Sequence, residues 1–471
     1  MTALLRGLDA LRAEVSGPVI GPGDAAFDEA RRVWNADVVR DPAVIVRCRR
    51  TADVVAALHF ARAVGVRATV RGGAHATGGH AVSDGDLMID LSPMRDVVVD
   101  PVARRAHVGG GALLADLDAA TQAHGLAVPA GMVSHTGVGG LTLGGGMGWL
   151  TRRHGLTVDN LLSAEVVTAD GTIRTASAED HPDLFWALRG GGGGFGVVTR
   201  FELALHPLPS PVDFGLFFFA ADRGHHALRL ARDVMADLPR DLHLVTVAMS
   251  APPAPFVPDE HRGAPGWSLL LAGFGDADGH DHGTHAAVVE RIRAGAPDFE
   301  RVAPMPYLAL QQLIDEGGSA WGVHCYDKGA YLDGFTDAAV DVLVDGLVSK
   351  RSPLSIVSVY MLDEAYTEVA DADTAFGGGR SPRLSVFVVG VSGDDGGLPA
   401  ERSWVRALHA GLAVVGHGAA AYLNSETEPD EAALRATFGW KYARLAEIRG
   451  RYDPVGLLRG RTPGPAVPLM W

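Results

Sequence analysis

Apolar and polar positions alternate along the chain in a way that predicts helix and strand segments joined by unusually open turns. In residues 51–64 (TADVVAALHFARAV), Val54, Val55, Leu58 and Ala61 fall on one helical face, with Arg62 at its edge and Thr51 as the cap candidate. Residues 66–70 read as a short strand that runs into Arg71-Gly72-Gly73-Ala74-His75. Further strands are predicted at 43–48, 87–91 and 105–108, the last stopped by Gly109, Gly110 and Gly111, and 113–124 reads as a helix. This is a βαβ-like alternation. Residues 164–169 and 172–176 flank Asp170-Gly171 as a hairpin, and a helix with Pro182 in its first turn leads to 189–196 (RGGGGGFG), followed by the strand-like 197–205.

The second half changes character. Strands are predicted at 212–219, 242–249, 268–274, 355–362 and 384–391, with helices at 225–237, 286–293 and 336–347. That pattern implies an antiparallel sheet backed by helices, and the Pro-rich 251–258 reads as a loop. Residues 1–15 carry apolar positions at helical spacing but include Arg6, Asp9, Arg12 and Glu14, unlike a signal peptide. The densest apolar run, 214–221, is far short of the roughly 20 residues a membrane span needs. A soluble, cytoplasmic protein is expected, with no membrane partner.

Composition sharpens this picture in one respect. Of 471 residues, 60 are glycine, and 25 of these lie between Gly72 and Gly196. Glycine costs backbone entropy, and its use is positive φ or close backbone approach. Concentrated in an otherwise apolar, strand-rich stretch, it suggests a backbone wrapped round a ligand; a run of tight turns is the bland alternative. The net charge of −15 with no basic block argues against nucleic acid. Two cysteines, Cys48 and Cys325, cannot build a disulfide framework; Cys48 lies on the apolar strand 43–48 as a core residue.

Familiar motifs mostly fall away. Gly191, Gly193 and Gly196 satisfy G-x-G-x-x-G, but a helix precedes them and a strand follows, the reverse of a dinucleotide fingerprint. No P-loop and no G-x-S-x-G occur. His280, His282 and His285 (GHDHGTH) are read as a solvated loop rather than metal ligands, and no metal is expected. His75, directly after a strand and a double glycine, is either a structural histidine or a nucleophile, base or tether for a cofactor.

The segment RGGAHATGGHAVSDGDLMIDLS (71–92) resembles the cofactor-attachment segment of FAD-linked oxidases of the vanillyl-alcohol-oxidase type, in the berberine-bridge-enzyme-like and 6-hydroxynicotine-oxidase-like branch. TGVGGLTLGGGMGWLTRRHGLTVDNLLSAEVVTADG (136–171), DLFWALRGGGGGFGVVTRFE (183–202), AYLN (421–424) and RYDP (451–454) follow in the family's order. The resemblance implies an α+β protein: a two-subdomain FAD-binding fold over 1–208, an antiparallel-sheet substrate domain backed by helices over 209–415, and a C-terminal segment, 416–471, returning to the FAD domain. It implies FAD bonded to His75. Arg71, Gly72, Gly73, Ala74, His75, Gly79 and His80 would line one side of the cofactor, and Ser134, Gly137, Gly139, Gly140, Thr142, Gly144 and Gly148 the other. Gly196 and Val198 would meet the adenosine part, and Tyr422 and Asn424 the flavin ring. Backbone amides in glycine-rich turns can cradle phosphate without lysine, which suits an acidic protein.

Three departures qualify the resemblance. Ala74 replaces the third glycine before the histidine. Val133 falls where doubly tethered members carry a cysteine, so a single histidyl link is expected. After Tyr452-Asp453-Pro454 the asparagines usual in the family are missing, so the contacts of the last fifteen residues do not carry over.

For catalysis, Thr136 falls beside the reactive edge of the flavin in this family; it either hydrogen-bonds there or simply turns the chain. Tyr360 and Tyr422 are candidates for substrate contact or proton removal, with Asp363 and Glu364 as alternative bases and a half-buried strand tyrosine as the plain reading of Tyr360. The expected activity is oxidation of a small metabolite, with hydride transfer to FAD and reoxidation by O2 to H2O2, in secondary metabolism. A dehydrogenase using another acceptor and a carbohydrate oxidase are the alternatives. Oligomeric state is left open.

Overall fold

The computed structural model describes residues 2–275 and 282–462. A small sheet near the N-terminus has the order Val19–Ile20, Val44–Arg47, Leu87–Asp90, Ala68–Arg71; its last three strands are parallel, and the helix Thr51–Val64 makes the crossover between two of them. Gly65 ends that helix in the left-handed region (φ 72°), the conformation that favours glycine there. Thr51 is the first helical residue rather than the cap: its hydroxyl donates to Glu165 (2.7 Å). The buried Asp53 carboxylate accepts the Arg49 and Ser16 N–H groups instead.

A second, five-stranded antiparallel sheet runs Val97–Asp100, Arg105–Gly109, Val197–Ala204, Leu161–Val167, Ile173–Ser177. The last pair is the Asp170-Gly171 hairpin, with Gly171 at φ 82°. The third sheet is seven-stranded and wholly antiparallel: Phe299–Val302, Asp213–Ala220, Pro265–Gly273, Leu242–Ser250, Ile356–Leu362, Arg383–Ser392, His324–Leu332. Phe217 and Phe219 face its helices, Gly224–Met235, Asp337–Val348 and Leu398–Val415; Leu216 and Phe218 face the other way. Both faces are covered, so this strand reads as one continuous apolar run.

Three elements of this sheet layer were not predicted. Phe299–Val302 is an edge strand whose Glu300 and Arg301 hide the periodicity. In His324–Leu332 the pattern is broken by Asp327 and Lys328, which take partners from elsewhere: Thr77 and Thr427 hydrogen-bond Asp327, and Glu426 pairs with Lys328 (2.7 Å). Helix Leu398–Val415 buries Trp404, Val405, Leu408 and Leu412 against the sheet.

Within the glycine-rich 137–148, Val138–Leu143 is a short helix. One further reading is corrected. His285 is buried on the helix His282–Arg293, not in a solvated loop, because the apolar face of that helix pulls its first turn inward. His280 lies outside the described residues. Among the described residues, no group of three or more His, Cys, Asp or Glu could hold a metal ion, and no helix is long and apolar enough to cross a membrane. Cys48 is fully buried, and burial raises its thiol pKa.

The C-terminal part closes back on the first two sheets. Leu445 and Ile448 of helix Lys441–Tyr452 share a core with the five-stranded sheet, and Leu457 and Leu458 share one with the N-terminal sheet. The Asp453 carboxylate accepts the Leu457 and Leu458 N–H groups (2.8 and 2.9 Å), fixing that return.

Candidate active site

The parallel strand Ala68–Arg71 delivers His75 on the loop that follows it. Arg71 is anchored by donation to the Ala30 carbonyl, while its Nε makes no hydrogen bond and pairs with the Asp90 carboxylate at 3.9 Å. Ala74 lies in the left-handed region (φ 54°). An alanine there costs about 1–2 kcal/mol relative to glycine, which explains why the resembling family carries glycine. The loop crosses the start of the helix Val138–Leu143 at very short range: a Cβ on Gly73 would lie 2.2 Å from Gly137 N, and a Cβ on Gly137 would lie 2.2 Å from Gly73 N.

Among the described residues, none of the six successive amides from Gly73 to Gly78 donates a hydrogen bond to the protein. Of the six residues Ala74 and Thr77 are buried and the others partly exposed, so solvent or a ligand can accept from these donors. Successive amides in a turn containing a left-handed residue can act as an anion receptor. The Thr142 hydroxyl, fully buried across the crossing, also lacks a partner. This donor set fits a phosphate-bearing cofactor such as FAD. Gly79 (φ 66°) ends the loop against Val38, and exposed His80 lines a cavity of about 510 Å³ together with Asn35, Thr77 and Arg461.

His75 itself is half-buried, stacked on Trp34 (centroids 4.5 Å apart, 18° between planes). Its Nε2 lies 3.1 Å from His135 Nδ1. Loss of hydration, and then His135 beside it, push its pKa down to about 3, so the ring is neutral.

The opposite wall is the segment 130–148. Gly139 and Gly148 pack on backbone, their Cβ positions lying 3.1 Å from Gly110 O and 1.9 Å from Ala130 O; Gly140 opens to free space. Ser134 is committed elsewhere: its N–H and hydroxyl both donate to the Asp315 carboxylate (2.7 and 2.6 Å). Thr136 is half-buried; its backbone bonds Val133 and Leu114, and its hydroxyl has no hydrogen bond among the described residues. Gly196 packs against Val166, and Val198 is buried with its carbonyl against Gly110.

Tyr422 and Asn424 meet this wall from the C-terminal segment. The Tyr422 hydroxyl accepts from the Gly146 N–H (2.9 Å) and Asn424 Nδ2 (3.0 Å), and Asn424 also donates to the Leu141 carbonyl. A Cβ on Gly144 would collide with Asn424 (2.2 Å), so that glycine makes room for the side chain. Burial raises the Tyr422 pKa to about 12, and burial also raises that of Tyr360. A phenolate base requires the opposite shift, so either tyrosine would need a neighbour that lowers its pKa to remove a proton. Asp363 and Glu364 both face the buried Arg152, at 2.5 and 3.8 Å, at the end of the strand Ile356–Leu362.

Tyr360 projects from the face of the seven-stranded sheet that packs on the segment 127–150. Its ring meets Phe387 (5.1 Å), Phe387 meets Tyr422 (5.7 Å), and Phe376 lies against Tyr422 (6.1 Å). Neighbouring positions on this face are Val245, Val247, Leu270 and Ile356. Sequence reasoning missed Trp34, His135, Asp315, Phe376 and Phe387. His135 had a signal, lying between Ser134 and Thr136; Asp315 had none, since only tertiary folding brings it to Ser134.

Residues 42–177 match a known FAD binding domain. An FAD-linked oxidoreductase of Dictyostelium discoideum is 28% identical over 95% of this chain and 94% of its own length. (R)-6-hydroxynicotine oxidase of Paenarthrobacter nicotinovorans is 38% identical over 44% of this chain, a match spanning 45% of that enzyme. Among solved structures, 6-hydroxy-D-nicotine oxidase from Arthrobacter nicotinovorans superposes with a TM-score of 0.81 at 26% identity, covering 94% of this chain and 97% of that one. Glucooligosaccharide oxidase from Acremonium strictum, described with a 6-S-cysteinyl, 8α-N1-histidyl FAD, shares the fold at 22% identity and a TM-score of 0.83, covering 99% of this chain and 100% of that one. The chain therefore carries an FAD binding domain and is an FAD-dependent oxidoreductase, with relatives and structural neighbours among the 6-hydroxynicotine, berberine-bridge-like and oligosaccharide oxidases of the vanillyl-alcohol-oxidase type.

Proposed function

We propose that the protein is an oxidase of a small apolar or phenolic metabolite, in secondary metabolism, with FAD bonded once, through His75, and oxygen reduced to hydrogen peroxide. The observation that carries the reading is the neutral, stacked His75 on a loop of six unpaired amides. Bound FAD supplies the redox chemistry, taking a hydride from the substrate and passing two electrons to oxygen. The amides of Gly73–Gly78 hold phosphate oxygens, and the Gly73–Gly137 crossing fixes their direction. Gly146 and Asn424 hold the Tyr422 hydroxyl in one orientation beside the ring site. Thr136 offers an uncommitted hydroxyl on the same wall. A single link is supported by Val133, which cannot form a thioether.

The substrate class rests on the sheet face opposite. Tyr360, Phe387 and Ile356, the partly buried side chains on this face, present an aromatic and aliphatic surface, with Val245, Val247 and Leu270 buried in the core behind them. Such a wall orients a flat or apolar substrate by stacking and exclusion of water. A sugar would leave its hydroxyls unpaired there, at roughly 1–3 kcal/mol each, which disfavours the carbohydrate-oxidase alternative.

Acid denaturation of the purified protein tests the tether: yellow colour stays with the polypeptide, and His75→Ala releases it. Colour lost entirely from the wild type, or retained covalently in His75→Ala, overturns it. Substrate class is read by anaerobic flavin bleaching with phenols, nitrogen heterocycles and oligosaccharides; bleaching by oligosaccharides alone refutes the apolar reading. Peroxide formed on turnover separates oxidase from dehydrogenase.

A further inference from the structure

The cavity beside the cofactor loop holds two guanidinium groups that no carboxylate neutralises. It measures about 510 Å³ and is lined by Asn35, Arg40, Thr77, His80, Arg402 and Arg461, together with the carboxylates of Asp37 and Glu428. Both carboxylates are taken: Asp37 pairs with Arg402 (2.9 Å) and Glu428 with Arg406 (3.5 Å). The Arg40 side chain donates to the carbonyls of Gly78, Gly79 and Val82, and that of Arg461 to the carbonyl of Glu426, while the Arg461 Nε is buried without a hydrogen bond. Among the described residues, neither arginine makes an ion pair. The carboxylates behind Arg461 are engaged as well: Asp327 accepts from Thr77 and Thr427, and Glu426 from Lys328 and the Gly329 N–H. In a chain of net charge −15, two unpaired arginines in one depression make a local field that attracts anions.

The fold fixes this charge beside the ring site. Leu458 forms a parallel bridge with Ala68, and the Arg459 N–H donates to the Ala68 carbonyl (2.8 Å). Gly460 then packs on the loop 189–196, where a Cβ would lie 2.5 Å from the Gly193 carbonyl oxygen, so the backbone that carries Arg461 has little freedom. Asn35 donates to the Thr77 carbonyl (2.7 Å) and Arg40 to the Gly78 carbonyl. In a trans peptide the following N–H points the opposite way, so the loop turns carbonyls toward the cavity and its Gly78 amide away from it. The cavity therefore draws its charge from side chains and not from the amide receptor. Tyr422 and the cavity residue Thr427 are five positions apart, at most about 18 Å if extended, and the turn Leu423–Ser425 shortens that path. Burial raises the Tyr422 pKa, and the Arg461 charge opposes that rise.

We propose that the substrate carries an anionic group, a carboxylate or a phosphate ester, and that Arg461 is the specificity-determining residue that binds it, with Arg40 adding charge. The proposal rests on the reading of an apolar or phenolic substrate oxidised beside Tyr422. The flat body of the substrate meets Tyr360 and Phe387, and its anionic arm reaches past Tyr422 into the cavity. A guanidinium presents parallel N–H donors that match either anion.

The test uses the full chain loaded with FAD. Calorimetry at low and high salt measures binding of phenylacetate, phenyl phosphate and the neutral phenylacetamide, and each is added as a competitor to anaerobic flavin bleaching. A charge-assisted contact is worth roughly 10–10²-fold in affinity. At least one anion should therefore bind about 10–10²-fold more tightly than the amide, slow bleaching competitively and weaken as salt rises. The anion that gains more separates a carboxylic acid from a phosphate ester. Arg461→Met abolishes the preference while flavin content and amide binding stay as in the wild type, and Arg461→Lys recovers part of it. Equal binding of amide and anions by the wild type, anion binding that does not compete with bleaching, or a preference that survives in Arg461→Met overturns the proposal and leaves the oxidase reading standing. Loss of FAD from Arg461→Met assigns the arginine to the cofactor and overturns it too. If that variant does not fold, salt dependence and competition in the wild type decide. Bleaching by oligosaccharides alone overturns both readings.

Discussion

The crossing of Gly73 and Gly137 is the tightest point between the two cofactor walls, and alanine at position 137 probes it directly. The added Cβ would lie 2.2 Å from Gly73 N and 2.7 Å from Gly73 Cα, where side-chain carbons essentially never come closer than 3.0 Å. Backbone faces backbone, so no side chain can rotate away and the loops must part by roughly 1 Å. Overpacking of this kind costs about 1–3 kcal/mol, offset by about 0.4–1 kcal/mol because alanine restricts the unfolded chain. For 471 residues, an unfolding entropy near 2.1 cal/mol/K per residue makes 1 kcal/mol worth only about 1 °C. Melting temperature is therefore a blunt readout, with an expected fall of about 1–2 °C. Position is the sharp one: a displacement of about 1 Å at a reacting group costs on the order of 10²-fold in rate. Gly137→Ala should bind FAD weakly and attach it slowly. Gly140→Ala is the matched control, three residues along the same short helix with nothing within 4 Å of its Cβ. It should melt at or slightly above the wild-type temperature. Equal stability and equal flavin loading in the two variants would refute the argument.

Three further predictions concern buried polar groups. His243 is fully buried with neither ring nitrogen hydrogen-bonded, and burial lowers its pKa to about 3. A depressed histidine binds its proton only in the unfolded chain, so stability is lost as pH falls from about 6.5 toward 3. His243→Leu should remove about 2–3 kcal/mol of that loss at pH 4.5, read as a shallower acid limb in urea melts; an unchanged limb contradicts it. Asp118 is buried with Gln311 Nε2 at 3.1 Å, and burial raises its pKa to about 7. A raised carboxyl stabilises below the unfolded value and loses that contribution as pH rises through 7, so Asp118→Asn should gain a few kcal/mol relative to wild type at pH 8 and little at pH 4; no pH-dependent gain in denaturant melts contradicts it. Arg152 donates to the Leu238, Pro239 and Leu242 carbonyls and pairs with Asp363. Arg152→Met should cost about 3–5 kcal/mol, because it strands these acceptors; a loss below about 1 kcal/mol in chemical denaturation would show that they find other donors.

Much of the architecture was legible in the sequence for physical reasons. The helix Thr51–Val64 and the strands around it declare themselves through local periodicity, and the glycine excess marks where backbone approaches backbone. The elements that escaped, such as His324–Leu332, are those whose polar residues are satisfied by distant parts of the chain. Asp327 reads as a strand breaker until Thr77 and Thr427 are folded beside it.

The same division holds at the active site. The chain by itself pointed to a phosphate-bearing cofactor, to glycine-rich backbone that could hold it without a basic patch, and to His75 beside it, because these expectations depend on residue type and short spacing. Tertiary structure decided what each group can do. Burial raises the pKa values of Tyr360 and Tyr422, and Arg152 engages Asp363 and Glu364. Gly73 and Gly137 became a crossing, and His75 acquired a partner in His135. Protonation and orientation are set by neighbours in space, and 180 residues separate His135 from the carbonyl that orients it.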